Sequence, residues 1–101
     1  MQFADRQEMS IKEAWMSPEG QRVAVIAIIA EDSSCSEKIN ELLHEAGEYI
    51  IGRMGIPYRE KNINIITIAI DAPQDVISSL GGKIGRLQGV SVKIAYSNVI
   101  S

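Results

Sequence analysis

Two long runs of mostly β-branched apolar residues, Val23 to Ile29 and Ile63 to Ile70, constrain this chain more than any other feature. Neither keeps the strict polar alternation of a strand with one face in water, so both read as central strands covered on two sides. The residues between them follow another period. Ser34 with Glu37 forms a capping-box pattern, and Ile39, Leu42, Leu43 and Ala46 recur at i, i+3, i+4 and i+7. That spacing predicts a helix of about three turns from near Cys35 to Ala46, with Gly47 as its C′ residue and Glu37, Glu41, Glu45 and Glu48 on its outer side.

Tyr49 to Tyr58 holds Gly52, Gly55 and Pro57, which would each cost a helix about 1–3 kcal/mol. An edge strand tolerates such residues at bends and bulges, so we expect an edge strand, then a turn at Arg59 to Asn62. Asp71, just before Pro73 and Gln74, marks a second helix start, with Val76, Ile77, Leu80, Ile84 and Leu87 as its apolar stripe and Gly89 as its end. Val90 to Tyr96 then alternates, with Val90, Val92, Ile94 and Tyr96 on one face. The order is βαββαβ, an α+β ferredoxin-like two-layer sandwich with a four-stranded antiparallel sheet. Strands 1 and 3 should be central, and strands 2 and 4 edges.

The domain so defined runs over residues 22–98. Residues 1–21 form an N-terminal extension, in which Ser10, Glu13, Ile11, Ala14 and Trp15 predict a short helix that Pro18 and Gly20 stop. Such a helix is too short to be stable alone.

With 101 residues the chain allows one domain, and a domain of that size buries only roughly 60–65% of its unfolded surface. Both helices should cover one sheet face, yet the first strand is apolar on both. We expect Ala24, Ile26 and Ile28 to form the helix-free face and to be the interface of a homo-oligomer, a dimer or tetramer, with the N-terminal segment as the rival cover. Ten basic against thirteen acidic residues give a net charge of -3, which argues against direct nucleic-acid binding or an acidic membrane as the main partner. No apolar run approaches the roughly 18 residues of a membrane span, and no secretory signal is visible, so a cytoplasmic protein is expected. The single cysteine excludes an intrachain disulfide.

Signals for chemistry are sparse. Gly47, Gly52, Arg53 and Met54 imitate a phosphate-binding loop but lack its Lys and its Ser or Thr. Gly82-Lys-Ile-Gly85 spells the GXXG of nucleic-acid-clamping loops, yet with Gly81 it lies inside one helical stripe, where close packing is the simpler reason. Cys35 stands at a helix start with no His within four residues, and His44, the only histidine, has no partner at ligand spacing. No metal site, cofactor or catalytic residue is therefore assigned, and the chain is read as a non-enzyme. Arg53, Tyr58 and Arg59, near Glu60 and Lys61, could hold a small anionic ligand through two guanidiniums and a phenol. Strand alternation separates Arg53 from Tyr58 unless a bulge at Gly55 to Pro57 changes the register, so that site depends on the bulge.

The run Tyr49-Ile-Ile-Gly-Arg-Met-Gly-Ile-Pro-Tyr-Arg-Glu-Lys61, then Ile65-Ile-Thr-Ile-Ala-Ile-Asp-Ala-Pro73 and Gly82-Lys-Ile-Gly-Arg-Leu-Gln-Gly-Val-Ser-Val-Lys93, resembles the iron-only hydrogenase system regulator family over about Arg22 to Ser97. That family is similar in fold to the C-terminal domain of the nickel-responsive repressor and to ACT domains. The resemblance implies a bacterial transcriptional or metabolic regulator, an oligomeric ligand-sensing domain acting on a protein partner. Twenty-one residues cannot hold the repressor's ribbon-helix-helix, and its several metal-binding histidines have no counterpart here, so neither DNA binding nor nickel sensing carries over. A structural or adaptor oligomerisation module without ligand is the alternative reading.

Overall fold

The computed structural model describes residues 20–31 and 33–100. The short helix expected around Ser10 to Trp15 lies outside them. The elements are β1 (Gln21–Ala30), α1 (Ser36–Glu45), β2 (Ile50–Tyr58), β3 (Ile63–Pro73), α2 (Gln74–Gly85) and β4 (Val90–Ile100), with single 3₁₀ turns at Ser33–Cys35 and Gly47–Tyr49. The sheet runs β2-β3-β1-β4 and every neighbouring pair is antiparallel. This is the ferredoxin-like βαββαβ sandwich, with the two apolar runs in its centre.

Burial alternates strictly along β1: Arg22, Ala24, Ile26, Ile28 and Ala30 are covered, and the residues between them are exposed. Ile66, Ile68, Ile70 and Ala72 of β3 continue that layer, and Ile39, Leu42 and Leu43 of α1 with Ile77, Leu80 and Ile84 of α2 close over it. Ala24, Ile26 and Ile28 are therefore core residues under the helices, at 1%, 0% and 0% exposure. The expectation that they form the helix-free face is corrected: that face is Val23, Val25, Ala27 and Ile29.

Cross-strand partners explain the choice. Ile26 lies opposite Ile68 on β3 and Ile94 on β4, whereas Ala27 lies opposite Thr67 and Lys93. Three adjacent strands thus present isoleucine on one side and smaller or charged residues on the other, and the helices bury the more apolar layer.

The start of α2 also differs from expectation. Asp71 belongs to β3, which continues to Pro73, and Pro73 itself takes the N-cap position with φ -56 and ψ 146. A residue before proline is held extended, so Ala72 prolongs the strand rather than opening the helix. Likewise Cys35, not Ser34, occupies the N-cap of α1, reached through the 3₁₀ turn.

One end of the core is closed by a charged side chain. Arg22 is only 7% exposed and donates from Nη1 to Gln74 Oε1 at 3.2 Å and from Nη2 to the Ser97 carbonyl at 3.1 Å. Its guanidinium stacks over the Tyr96 ring, 4.5 Å from the centroid, and the Tyr96 hydroxyl lies 3.2 Å from Ser78 Oγ. The other end is tied by the Glu31 amide donating to the Gly89 carbonyl at 2.7 Å, where Gly89 adopts a φ of 77 that favours glycine.

Candidate functional site

The helix-free side of the sheet gathers nearly all the exposed large apolar side chains of the described residues. Pairing registers order it into three lines running across all four strands. Gly52, Ala69, Val25 and Ala95 form the first; Met54, Thr67, Ala27 and Lys93 the second; Ile56, Ile65, Ile29 and Ser91 the third. Val23 and Tyr58 lie beyond the two outer lines. Val25 is 40% exposed, Ile29 41%, Ile56 44% and Met54 55%. On the strands of this face charge is confined to Lys93 on β4 and Asp71 near the end of β3. Large apolar side chains are thus gathered on one face rather than scattered singly over the surface.

The expected ligand cluster is split. The bulge in β2 falls between Ile50 and Gly52, and the register then runs unbroken from Gly52 opposite Ala69 to Tyr58 opposite Ile63. The bulge expected at Gly55 to Pro57 is absent, so Arg53 and Tyr58 stand on opposite faces. Arg53 lies opposite Ile68 on the helix side and donates from Nη2 to Asn40 Oδ1 of α1 at 3.0 Å. Tyr58 and Arg59 stay together at the hairpin, where with Pro57, Asn62, Ile63 and Asn64 they line a hollow of about 130 Å³. Asn62 makes that turn with a φ of 55, a conformation asparagine tolerates better than most residues.

A second concavity lies between the helices and was not anticipated from sequence. It holds about 300 Å³, with Leu42, Ala46, Val76 and Leu80 as apolar lining and Glu45, Asp75 and Lys83 supplying charge. The signal was present only as separate outer positions on two helices that must first be docked side by side.

Cys35 is half-buried, and its Sγ donates to the Gln88 carbonyl at 3.0 Å, which gives the thiol a structural contact to the turn before β4. Among the described residues no three His, Cys, Asp or Glu side chains gather to hold a metal ion. No helix among them is long and apolar enough to cross a membrane.

The family described as "TM1266-like: Iron-only hydrogenase system regulator, putative" matches residues 22–94. The solved structure of the uncharacterized protein TM1266 from Thermotoga maritima is 38% identical, with a TM-score of 0.73 over 75% of this chain and 96% of that one. More distant are the ACT domain of GTP pyrophosphokinase from Chlorobium tepidum, at 18% identity, TM-score 0.54, 78% of this chain and 89% of that one, and a formyltetrahydrofolate deformylase from Pseudomonas putida KT2440, at 11% identity and TM-score 0.57 over 76% of this chain and 29% of that one. These last two share the fold alone. No curated protein matches the chain.

Proposed function

The chain belongs to the TM1266-like iron-only hydrogenase system regulator family, and we propose that it acts there as an oligomeric, non-enzymatic regulatory domain that binds a second copy of itself and responds to a small ligand. The observation that carries this reading is the helix-free sheet face, where Val25, Ile29, Met54 and Ile56 are exposed while the opposite face is sealed by both helices. A chain of this size gains much of its stability from further burial, and an exposed apolar sheet face is the surface that supplies it. The reading places the protein in the cytoplasm, where a free thiol such as Cys35 stays reduced.

The ligand half of the proposal rests on two concavities. Tyr58 and Arg59 offer a phenol and a guanidinium to an anion at the hairpin, a smaller set than three convergent residues because Arg53 is turned toward Asn40. The groove between the helices suits a ligand with an apolar body and a charged group. An adaptor without ligand would use the sheet face alone.

Sedimentation velocity across a concentration series, on wild type and Val25→Asp, tests the first half. The expected result is a wild-type oligomer and a folded, monomeric variant. A wild type that stays monomeric at the highest concentration overturns the reading.

A further inference from the structure

The three lines of side chains on the helix-free face differ in size, and the difference specifies how two copies can meet. Ile56, Ile65 and Ile29 form a ridge across β2, β3 and β1. Four residues along each strand from them, the line runs Gly52, Ala69, Val25, with Ala95 beyond on β4. That line, the trough, is lowest at Gly52, Ala69 and Ala95, which carry no side chain beyond Cβ, with Val25 standing up between the two alanines. Met54, Thr67 and Ala27 lie midway between ridge and trough.

We propose that two copies pack sheet against sheet about a two-fold axis that lies in the interface, perpendicular to the strands and along the Met54, Thr67, Ala27 line. Resting on the self-association proposed above, this arrangement deepens it by naming the contact. Rotation about that axis sets the ridge of each copy in the trough of the other: Ile56 over Gly52, Ile65 over Ala69 and Ile29 over Val25. The interface is isologous, as a two-fold requires, and large side chains meet small ones on β2 and β3, while Ile29 and Val25 pack apolar against apolar on β1. The other in-plane axis, along the strands, would set Ile65 on Ile29 and Gly52 on Ala95. Ridge would meet ridge, trough would meet trough, and the trough would stay unfilled.

Area agrees with the first axis, and charge limits it only at the rim. Lys93 ends the central line on the edge strand β4 and so meets its own copy across the axis, but at the rim, where its long stem lets the two ammonium groups part into solvent. Four strands at about 4.8 Å and roughly nine residues at about 3.3 Å make a face of about 19 by 30 Å. In projection that is about 570 Å², which with side-chain relief approaches the roughly 800 Å² per partner of a standard stable interface.

Ala27 is exposed, lies on the axis and faces its own copy, so it tests the geometry directly. Ala27→Glu and Ala27→Lys are each expected to raise the dimer dissociation constant about a hundredfold or more, while far-ultraviolet circular dichroism stays that of the wild type. Mixing the two variants one to one is expected to restore a heterodimer, because opposite charges then meet on the axis. A short bismaleimide should also couple Thr67→Cys to itself, in a Cys35→Ser background, within the dimer. Two monomeric variants that do not recover on mixing, with no Thr67→Cys coupling, overturn the axis while leaving the sheet face as the interface. Variants that remain dimeric alone move association to the strand edges and overturn both readings. A monomeric wild type whose dye binding rises on removing residues 1–19 gives the face to the chain's own N-terminal segment, and likewise overturns both.

Discussion

Gly81 of α2 and Ile94 of β4 set how closely the second helix approaches the sheet: a Cβ at Gly81 would stand 2.6 Å from Ile94 Cδ1. Gly81 is buried, and the neighbouring Gly82 meets only the far end of Arg86 at 3.9 Å. Of the glycines in this helix, Gly81 is the one required by close packing.

Gly81 and Gly82 are therefore expected to respond differently to the same substitution. Gly82→Ala is expected to stabilise by up to about 1 kcal/mol through helix propensity alone. Gly81→Ala gains the same propensity but pushes the Ile94 methyl aside, which leaves it near neutral, and Gly81→Leu costs about 1–3 kcal/mol by overpacking. Urea melts check this. Gly81→Ala should be more favourable in an Ile94→Val background, with a coupling of about 1 kcal/mol; full additivity would refute the contact.

Adjacent residues on β1 should behave as if in different proteins. Ile26 has no exposure and its neighbour Val25 has 40%. Ile26→Ala is expected to cost about 2–5 kcal/mol and Ile26→Asp to prevent folding, since the carboxylate would be buried without a partner. Val25→Asp should stay folded while reducing association, losing only the part of the wild-type stability that association supplies. Thermal melts with light scattering on the same samples separate the two outcomes.

Arg22 is expected to be structural. Arg22→Ala removes two charge-assisted hydrogen bonds and the stack on Tyr96, an expected loss of about 2–4 kcal/mol. Arg22→Lys should recover little of it, because an ammonium cannot present two parallel donors and lie flat on a ring. Tyr96→Phe keeps the stack and loses only the contact to Ser78, at about 0.5–1.5 kcal/mol. Equal losses for Arg22→Lys and Tyr96→Phe would contradict this division.

Anion binding at the hairpin is expected to depend on Arg59 and not on Arg53. Thermal-shift screening with carboxylate and phosphate metabolites is expected to give stabilisation that Arg59→Ala abolishes and Arg53→Ala leaves intact, because Arg53 is engaged with Asn40 on the other face. Dependence on Arg53 instead would restore the three-residue site.

The element order, the two central strands and the broken edge strand were legible because each rests on local period and on residues with strong backbone preferences. Ile63 to Ile70 reads as a central strand, though only its Ile66, Ile68 and Ile70 side is covered, and Gly52, Gly55 and Pro57 can only sit in a helix at high cost. Alternation likewise determined that Ala24, Ile26 and Ile28 share a face, and that Val23, Val25, Ala27 and Ile29 share the other. Which face the helices take was not local. It follows from what lies opposite, Ile68 and Ile94 against Ile26, Thr67 and Lys93 against Ala27, and those partners are brought together only by the register of three strands distant in sequence. The fate of Arg53 and Tyr58 was decided in the same way. A one-residue bulge shifts every later side chain to the opposite face, and its place at Ile51 rather than at Gly55 to Pro57 is set by how β2 pairs with β3.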